Sequence, residues 1–182
     1  MLPWVAFAEG EHAVTHIYYT FEYLDYLALP FDPFTDATIH AMGARQTVRV
    51  FPEVDLMAGY RFAANSPDDA SSVDQVLADG SQDFEVNTHQ LELEAMFPLF
   101  FLVRGQAGYV FRWDDYTFPN SATGAAEIPR DDKAHQFALE LTRDLSPRLA
   151  LTGGVIGILN TSNIASFEYN RAIAWIGIRG AL

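Results

Sequence analysis

The sequence predicts an all-β fold: an antiparallel, up-and-down transmembrane β-barrel, or a fragment of one, of about 8–9 strands. Three observations carry that prediction. Apolar and polar residues alternate along successive stretches. The connections between stretches run alternately short and long. Lys133 is the only lysine in 182 residues. In the stretch 88–97, THQLELEAMF, Leu91, Leu93, Ala95 and Phe97 share one parity, and Gln90, Glu92 and Glu94 the other. A period of two is a strand with one face in an apolar medium. Stretches of roughly 10–12 residues suit tilted strands, which need about 9–11 to cross a bilayer.

The elements follow in order. Residues 1–8, MLPWVAFA, lack the basic n-region of a signal peptide and read as the tail of an earlier strand. The expectation is therefore one barrel domain over 1–182, truncated at its N-terminus. In 14–24, Ile17, Tyr19, Phe21 and Tyr23 oppose His16, Thr20 and Glu22. Pro30 and Pro33 mark 25–36 as a long loop. The stretch 37–51 is a weaker strand of mixed phase around Arg45 and Arg49, and Pro52-Glu53 turns the chain tightly. In 54–63, Val54, Leu56, Ala58, Tyr60 and Phe62 oppose Asp55 and Arg61. A long acidic loop, 65–85, leads to the strand 86–97, and Pro98 and Leu99 turn at once into 100–113. There Phe101, Val103, Ala107, Tyr109, Phe111 and Trp113 face away from Arg104, Gln106 and Arg112. The polar stretch 114–132 reads as another long connection. In 133–144, Phe137, Leu139 and Leu141 oppose Gln136, Glu140 and Thr142. A short turn, 145–147, precedes the strand 148–159, and polar residues 160–168 join it to the last strand, 169–182. Gly153, Gly154 and Gly157 in one strand are expected to relieve crowding or permit bending.

Membrane barrels keep short turns on one side and long loops on the other. The short turns are then periplasmic and the long loops extracellular. Alternation alone does not say which face is apolar. A soluble, lipocalin-like barrel binding a small apolar ligand has the same period with its faces exchanged. The loop lengths, the missing lysines and aromatics near strand ends (Tyr109, Phe111, Trp113 and Tyr116; Phe97, Phe100 and Phe101) select the lipid-facing version. The expected location is a bacterial outer membrane, with outer-membrane lipid as partner. Hydrophobic residues make up 49% of the chain, yet mean hydropathy is only +0.02, because a barrel strand is apolar at every second position.

A net charge of -13 makes nucleic acid a poor partner. Cysteine is absent, which excludes disulfides and thiolate metal sites. No phosphate loop, zinc-binding His-Glu pair or nucleophile elbow occurs, and the histidines His12, His16, His40, His89 and His135 lack metal-ligand spacing. They read as strand or loop residues with local partners. Neither a cofactor nor enzymatic activity is expected. Glu92, Glu94, Arg104, Gln106, Arg112 and Glu140 are the candidate lumen-facing polar residues, and Arg104 is expected opposite Glu92 or Glu94 in the Pro98 hairpin. Asp68, Asp69, Asp74, Asp79 and Asp83 supply oxygen ligands of the kind that hold Ca²⁺ or Mg²⁺, at spacing looser than an ordered calcium loop. A solvated acidic loop is the plainer reading.

The C-terminal stretch 160–182, NTSNIASFEYNRAIAWIGIRGAL, carries Ser162, Asn163, Ile164, Phe167, Tyr169 and Arg171 before the closing strand. It resembles the end of the barrel in tetratricopeptide-linked outer-membrane proteins of the surface lipoprotein assembly modifier and porin-like type. Residues 24–38 and the hairpin DLSPRLALTGG are similar to segments of that group. The resemblance implies a passive, porin-like or translocation-related role and an N-terminal periplasmic region or partner. Two departures stand out. The chain ends in Leu182 where the family has Phe, and the helical repeats are not in this sequence. About eight strands leave an interior filled by side chains, so a pore needs further strands or an oligomer.

Overall fold

The computed structural model describes residues 4–24, 37–67, 85–119 and 128–180. They form one antiparallel sheet in the order β1 to β9, each strand beside its neighbours in sequence. The strands are β1 (Trp4–Glu9), β2 (Ala13–Leu24), β3 (Ala37–Phe51), β4 (Val54–Pro67), β5 (Val86–Pro98), β6 (Val103–Pro119), β7 (Pro129–Ser146), β8 (Leu149–Ser162) and β9 (Tyr169–Gly180). A 3-10 turn at Ala165–Phe167 is the one helical element among the described residues. β1 and β9 each pair on one side only, so the described sheet is open.

The alternation fixes which residues share a face. Register rows run Ile17↔Ala44↔Tyr60↔Leu91↔Phe111 on one side and His16↔Arg45↔Gly59↔Glu92↔Val110 on the other. The mixed phase of β3 resolves here: Arg45, Thr47 and Arg49 join the polar face, and Gln46 and Val48 the apolar one. The side chains of the apolar face stay largely uncovered, Phe21, Leu93, Phe137 and Ile176 among them. Only Ala37, Ala41 and Ala63 are buried apolar residues among those described, so this sheet has no core of its own.

The polar face is concave. A hollow of about 420 Å³ is lined from Arg45 on β3 through Glu92, Gln106, Gln136 and Ile156 to Trp175 on β9. Seven successive strands can touch one space of that size only if the sheet curls towards its polar side. The apolar face carries grooves as well, but one of about 640 Å³ spans β3 to β6 alone, over Ala58, Ala95 and Ala107. Glycines make room for the curl on the polar side. The Tyr18 ring lies over Gly43 and the Trp175 ring over Gly154, its register partner, where a Cβ would come within 2.5 Å of ring atoms.

Several boundaries depart from the expected ones, and β4 and β8 run on to Pro67 and Ser162. β6 starts at Val103, because Leu99 to Leu102 form the turn: the Leu99 N–H donates to the Val103 carbonyl at 2.7 Å. Phe101 and Leu102 in that turn have φ of 57° and 61°, both left-handed, and the Val103 N–H donates to the Phe100 carbonyl across them at 3.3 Å. β6 also runs on to Pro119, and β7 begins at Pro129. The acids of 114–132 are thus mostly strand residues that continue the polar face towards the rim.

Candidate functional site

The candidate site is the concave polar face. All six residues named from sequence, Glu92, Glu94, Arg104, Gln106, Arg112 and Glu140, lie on it by register. Among the described residues, the acids on this face are Glu22, Asp55, Glu92, Glu94, Asp114, Asp132, Glu140 and Asp144. The arginines are Arg45, Arg49, Arg61, Arg104, Arg112, Arg130, Arg171 and Arg179, eight against eight. The wall is therefore electrically balanced. The chain's surplus of acid sits elsewhere, largely in the long connections.

The pairing differs from the expected one. Arg104 stands opposite Pro98 across the hairpin and bonds Asp144 of β7 at 3.1 Å, not Glu92 or Glu94. The turn takes four residues instead of two, which moves Arg104 down the ladder, away from both glutamates. Glu92 bonds Arg45 of β3 at 2.8 Å, reaching over β4 at Gly59, which lies between them in register. Gly59 has no side chain to separate the two. Glu140 accepts from Thr152 at 3.3 Å and lies 3.9 Å from Arg179 of β9, again spanning a strand. Glu94 and Gln106 line the hollow beside these pairs. Arg112 bonds Asp114 at 2.8 Å.

Sequence reading missed a tighter cluster at the long-connection rim. Asp114 and Asp132 are register partners, and each is nearly buried, at 4% and 3% exposure. Asp114 accepts from Thr88 Oγ1 at 2.7 Å and pairs with Arg112. Asp132 accepts from Arg130 Nε at 2.7 Å. The Arg130 guanidinium sits between the rings of Phe167, 3.6 Å away, and Tyr116, 4.5 Å away. Asn160 Nδ2 donates to the Phe167 carbonyl at 2.8 Å, so the β8–β9 connection folds over this face. Tyr116 accordingly belongs to the polar face, not to an aromatic belt with Tyr109, Phe111 and Trp113. The signal available was parity: Arg112, Asp114, Tyr116, Arg130 and Asp132 are all even-numbered.

On the apolar face the same triplet recurs in three successive hairpins. Tyr19, Tyr60 and Tyr109 share hydrogen bonds of 2.6, 2.7 and 2.8 Å with Nδ1 of His40, His89 and His135. Each histidine ring also packs 5.0–5.1 Å from a phenylalanine, Phe21, Phe62 or Phe111, which is its register partner. The triplets do not sit on one row. Phe21↔His40 continues across to Ala64 and Asn87, whereas Phe62 and His89 lie two residues further along those strands. Phe62↔His89 continues to Trp113 and Lys133, and Phe111 and His135 again lie two residues further along. The belt thus steps two residues for every two strands. With a rise of about 3.3 Å per residue and strands about 4.8 Å apart, that step corresponds to a tilt of roughly 35°.

Beyond the belt, towards the long connections, the same face turns polar at Thr38, Ser66, Asn87, Asp115, Asp131, Lys133, Thr161 and Asn170. The acidic residues Asp68, Asp69, Asp74, Asp79 and Asp83 lie outside the described residues. Among the described residues no group of His, Asp and Glu is placed to hold a metal ion. No helix of the described residues is long and apolar enough to cross a membrane, which says nothing about crossing by strands. Comparison with family models, curated proteins and solved structures returned no match.

Proposed function

We propose that this chain forms the wall of a β-barrel in a bacterial outer membrane, with a passive, porin-like or translocation-related role. The supporting observation is the diagonal belt. A row of aromatic and imidazole groups that climbs two residues per hairpin stays at one height if the strands tilt by about 35–45° against a membrane normal. An interface with lipid rewards constant height; a soluble core does not. On β7 the apolar positions lie between Lys133 and Arg143. Ten residues at about 3.3 Å, tilted by about 40°, give roughly 25 Å, the height of a lipid-facing band. The ion-paired concave face then lines a wet interior, where paired charges cost little. Closure of the open edges, by β1 meeting β9 or by further strands, completes the wall, since lipid tolerates no unpaired strand edge.

The test is to refold the chain into dye- and ion-loaded vesicles. The proposal expects protease-resistant insertion and passive release of small ions. Folded, monomeric protein in plain buffer without detergent would sink the membrane reading. Insertion without release would leave the wall and remove the transport role.

A further inference from the structure

We propose that the outer face of β5–β7 holds the headgroup of a membrane lipid that carries a phosphate with an amine beyond it, as phosphoethanolamine does. The inference rests on the bilayer reading above and adds a ligand to it. The chain's only lysine stands here: Lys133 is the register partner of Trp113, with its ammonium 5.9 Å from the indole ring. His89, the other register partner of that tryptophan, stacks on the indole at 5.4 Å. Tyr109 holds Nδ1 of His135 at 2.8 Å. With the phenol donating, the ring hydrogen is assigned to Nε2, which has no hydrogen-bond partner among the described residues. Lys133 and His135, two residues apart on one face of β7, therefore each carry an N–H donor at the edge of the apolar band.

The order along β7 reads like a lipid stood on end. Leu141, Leu139 and Phe137 are exposed and apolar; His135 follows, then Lys133, then Asp131. Each step of two residues covers about 6.6 Å of strand, or roughly 5 Å along a membrane normal at 40° tilt. Acyl chain, ester, phosphate and amine follow one another in that sequence on the same scale. The acids make the amine end specific. Asp131 and Asp115 are register partners one step outside Lys133. Asp131 already takes Lys133 Nζ at 3.3 Å and the Trp113 indole N–H at 2.7 Å, which holds its carboxylate in place. A purely anionic headgroup would meet these two carboxylates; a zwitterionic one brings its ammonium to them.

Trp113 is a built-in reporter. In a Trp4→Phe, Trp175→Phe chain inserted in vesicles of a phosphate-free glycolipid, its fluorescence is titrated with acyl-nitroxide phosphatidylethanolamine, phosphatidylglycerol or the same glycolipid. The proposal expects phosphatidylethanolamine to quench at a several-fold lower mole fraction than either alternative, and Lys133→Gln to abolish the difference. Equal quenching by all three, or strongest quenching by phosphatidylglycerol, overturns it. A Leu139→Trp reporter separates the two levels: quenching there regardless of headgroup supports the bilayer reading, and none removes that reading itself. If the double tryptophan variant does not fold, lipid retention by the unmutated chain and Lys133→Gln in native mass spectrometry gives the same comparison. Loss of phosphatidylethanolamine retention in Lys133→Gln supports the site, and unchanged retention overturns it.

Discussion

Leu139→Arg puts the assignment of faces under direct strain. Leu139 is 40% exposed and lies on β7 six residues from Lys133 and four from Arg143. At a tilt of about 40°, those separations place it roughly 15 Å and 10 Å from the polar ends of the band. An arginine stem cannot carry its charge far enough to reach water from there. The cost should be about 2–4 kcal/mol, as for cations near the midplane of membrane barrels, which is roughly 30- to 1000-fold in the folding equilibrium. Ala138→Arg provides the control at the same height on the concave face, where the new guanidinium meets the wet hollow beside Gln136 and Glu140. It should cost about 1 kcal/mol or less. Both are read from urea titrations in vesicles, with folded fraction scored by the mobility of unheated samples. The Leu139→Arg cost should grow as lipid acyl chains lengthen. Equal costs at the two positions would refute the face assignment. A cost indifferent to acyl length would refute the bilayer as the medium outside.

Three further substitutions test local geometry by the same titration. Gly154→Ala should destabilise by about 1–3 kcal/mol, because its Cβ would fall 2.5 Å from the Leu139 carbonyl and the Trp175 ring; a neutral result would mean the ring does not lie there. Replacing Phe101-Leu102 by Asn-Gly should stabilise by roughly 1–2 kcal/mol, since two bulky residues now occupy left-handed positions. A loss instead would show that the exposed Phe100–Leu102 tip, at 74–78% exposure, holds an apolar contact that outweighs the strain. Glu92→Gln should cost less than about 1 kcal/mol, and the pair Arg45→Met, Glu92→Leu should recover most of it, because Arg45 is half-exposed. A loss of several kcal/mol would mark the pair as truly desolvated.

Much of the fold was legible because period two is a property of each strand alone. β5 runs from Val86 to Pro98, within one residue of the stretch its alternation marks, and the polar parity named all six wall residues. Strand ends rich in acid were not legible. Asp114, Asp115, Asp131 and Asp132 look like loop until their neighbours supply Arg112, Arg130 and a ladder. Partners across strands were harder still. The match of Arg104 depends on how many residues the turn consumes, and Phe101 and Leu102 are not residues that advertise a left-handed turn. His40, His89 and His135 lie too far apart in sequence for their spacing to reveal a shared role. Placed hairpin by hairpin, the Tyr-x-Phe runs at 19–21, 60–62 and 109–111 would have exposed their common role.

Those triplets also say something about how such a wall can grow or shrink. Tyr, Phe and His occupy equivalent places in the β2–β3, β4–β5 and β6–β7 hairpins, and the β8–β9 hairpin carries Val155, Gly157 and Ala172 at the corresponding positions. The unit of copying is therefore a pair of strands with its long connection. Duplicating or deleting a pair would change the circumference of the proposed barrel while each triplet kept its height and every connection its side. Adding one strand would send the next triplet to the opposite end of the wall. Parity along a strand decides which way a residue faces; parity in the number of strands decides whether the belt stays level.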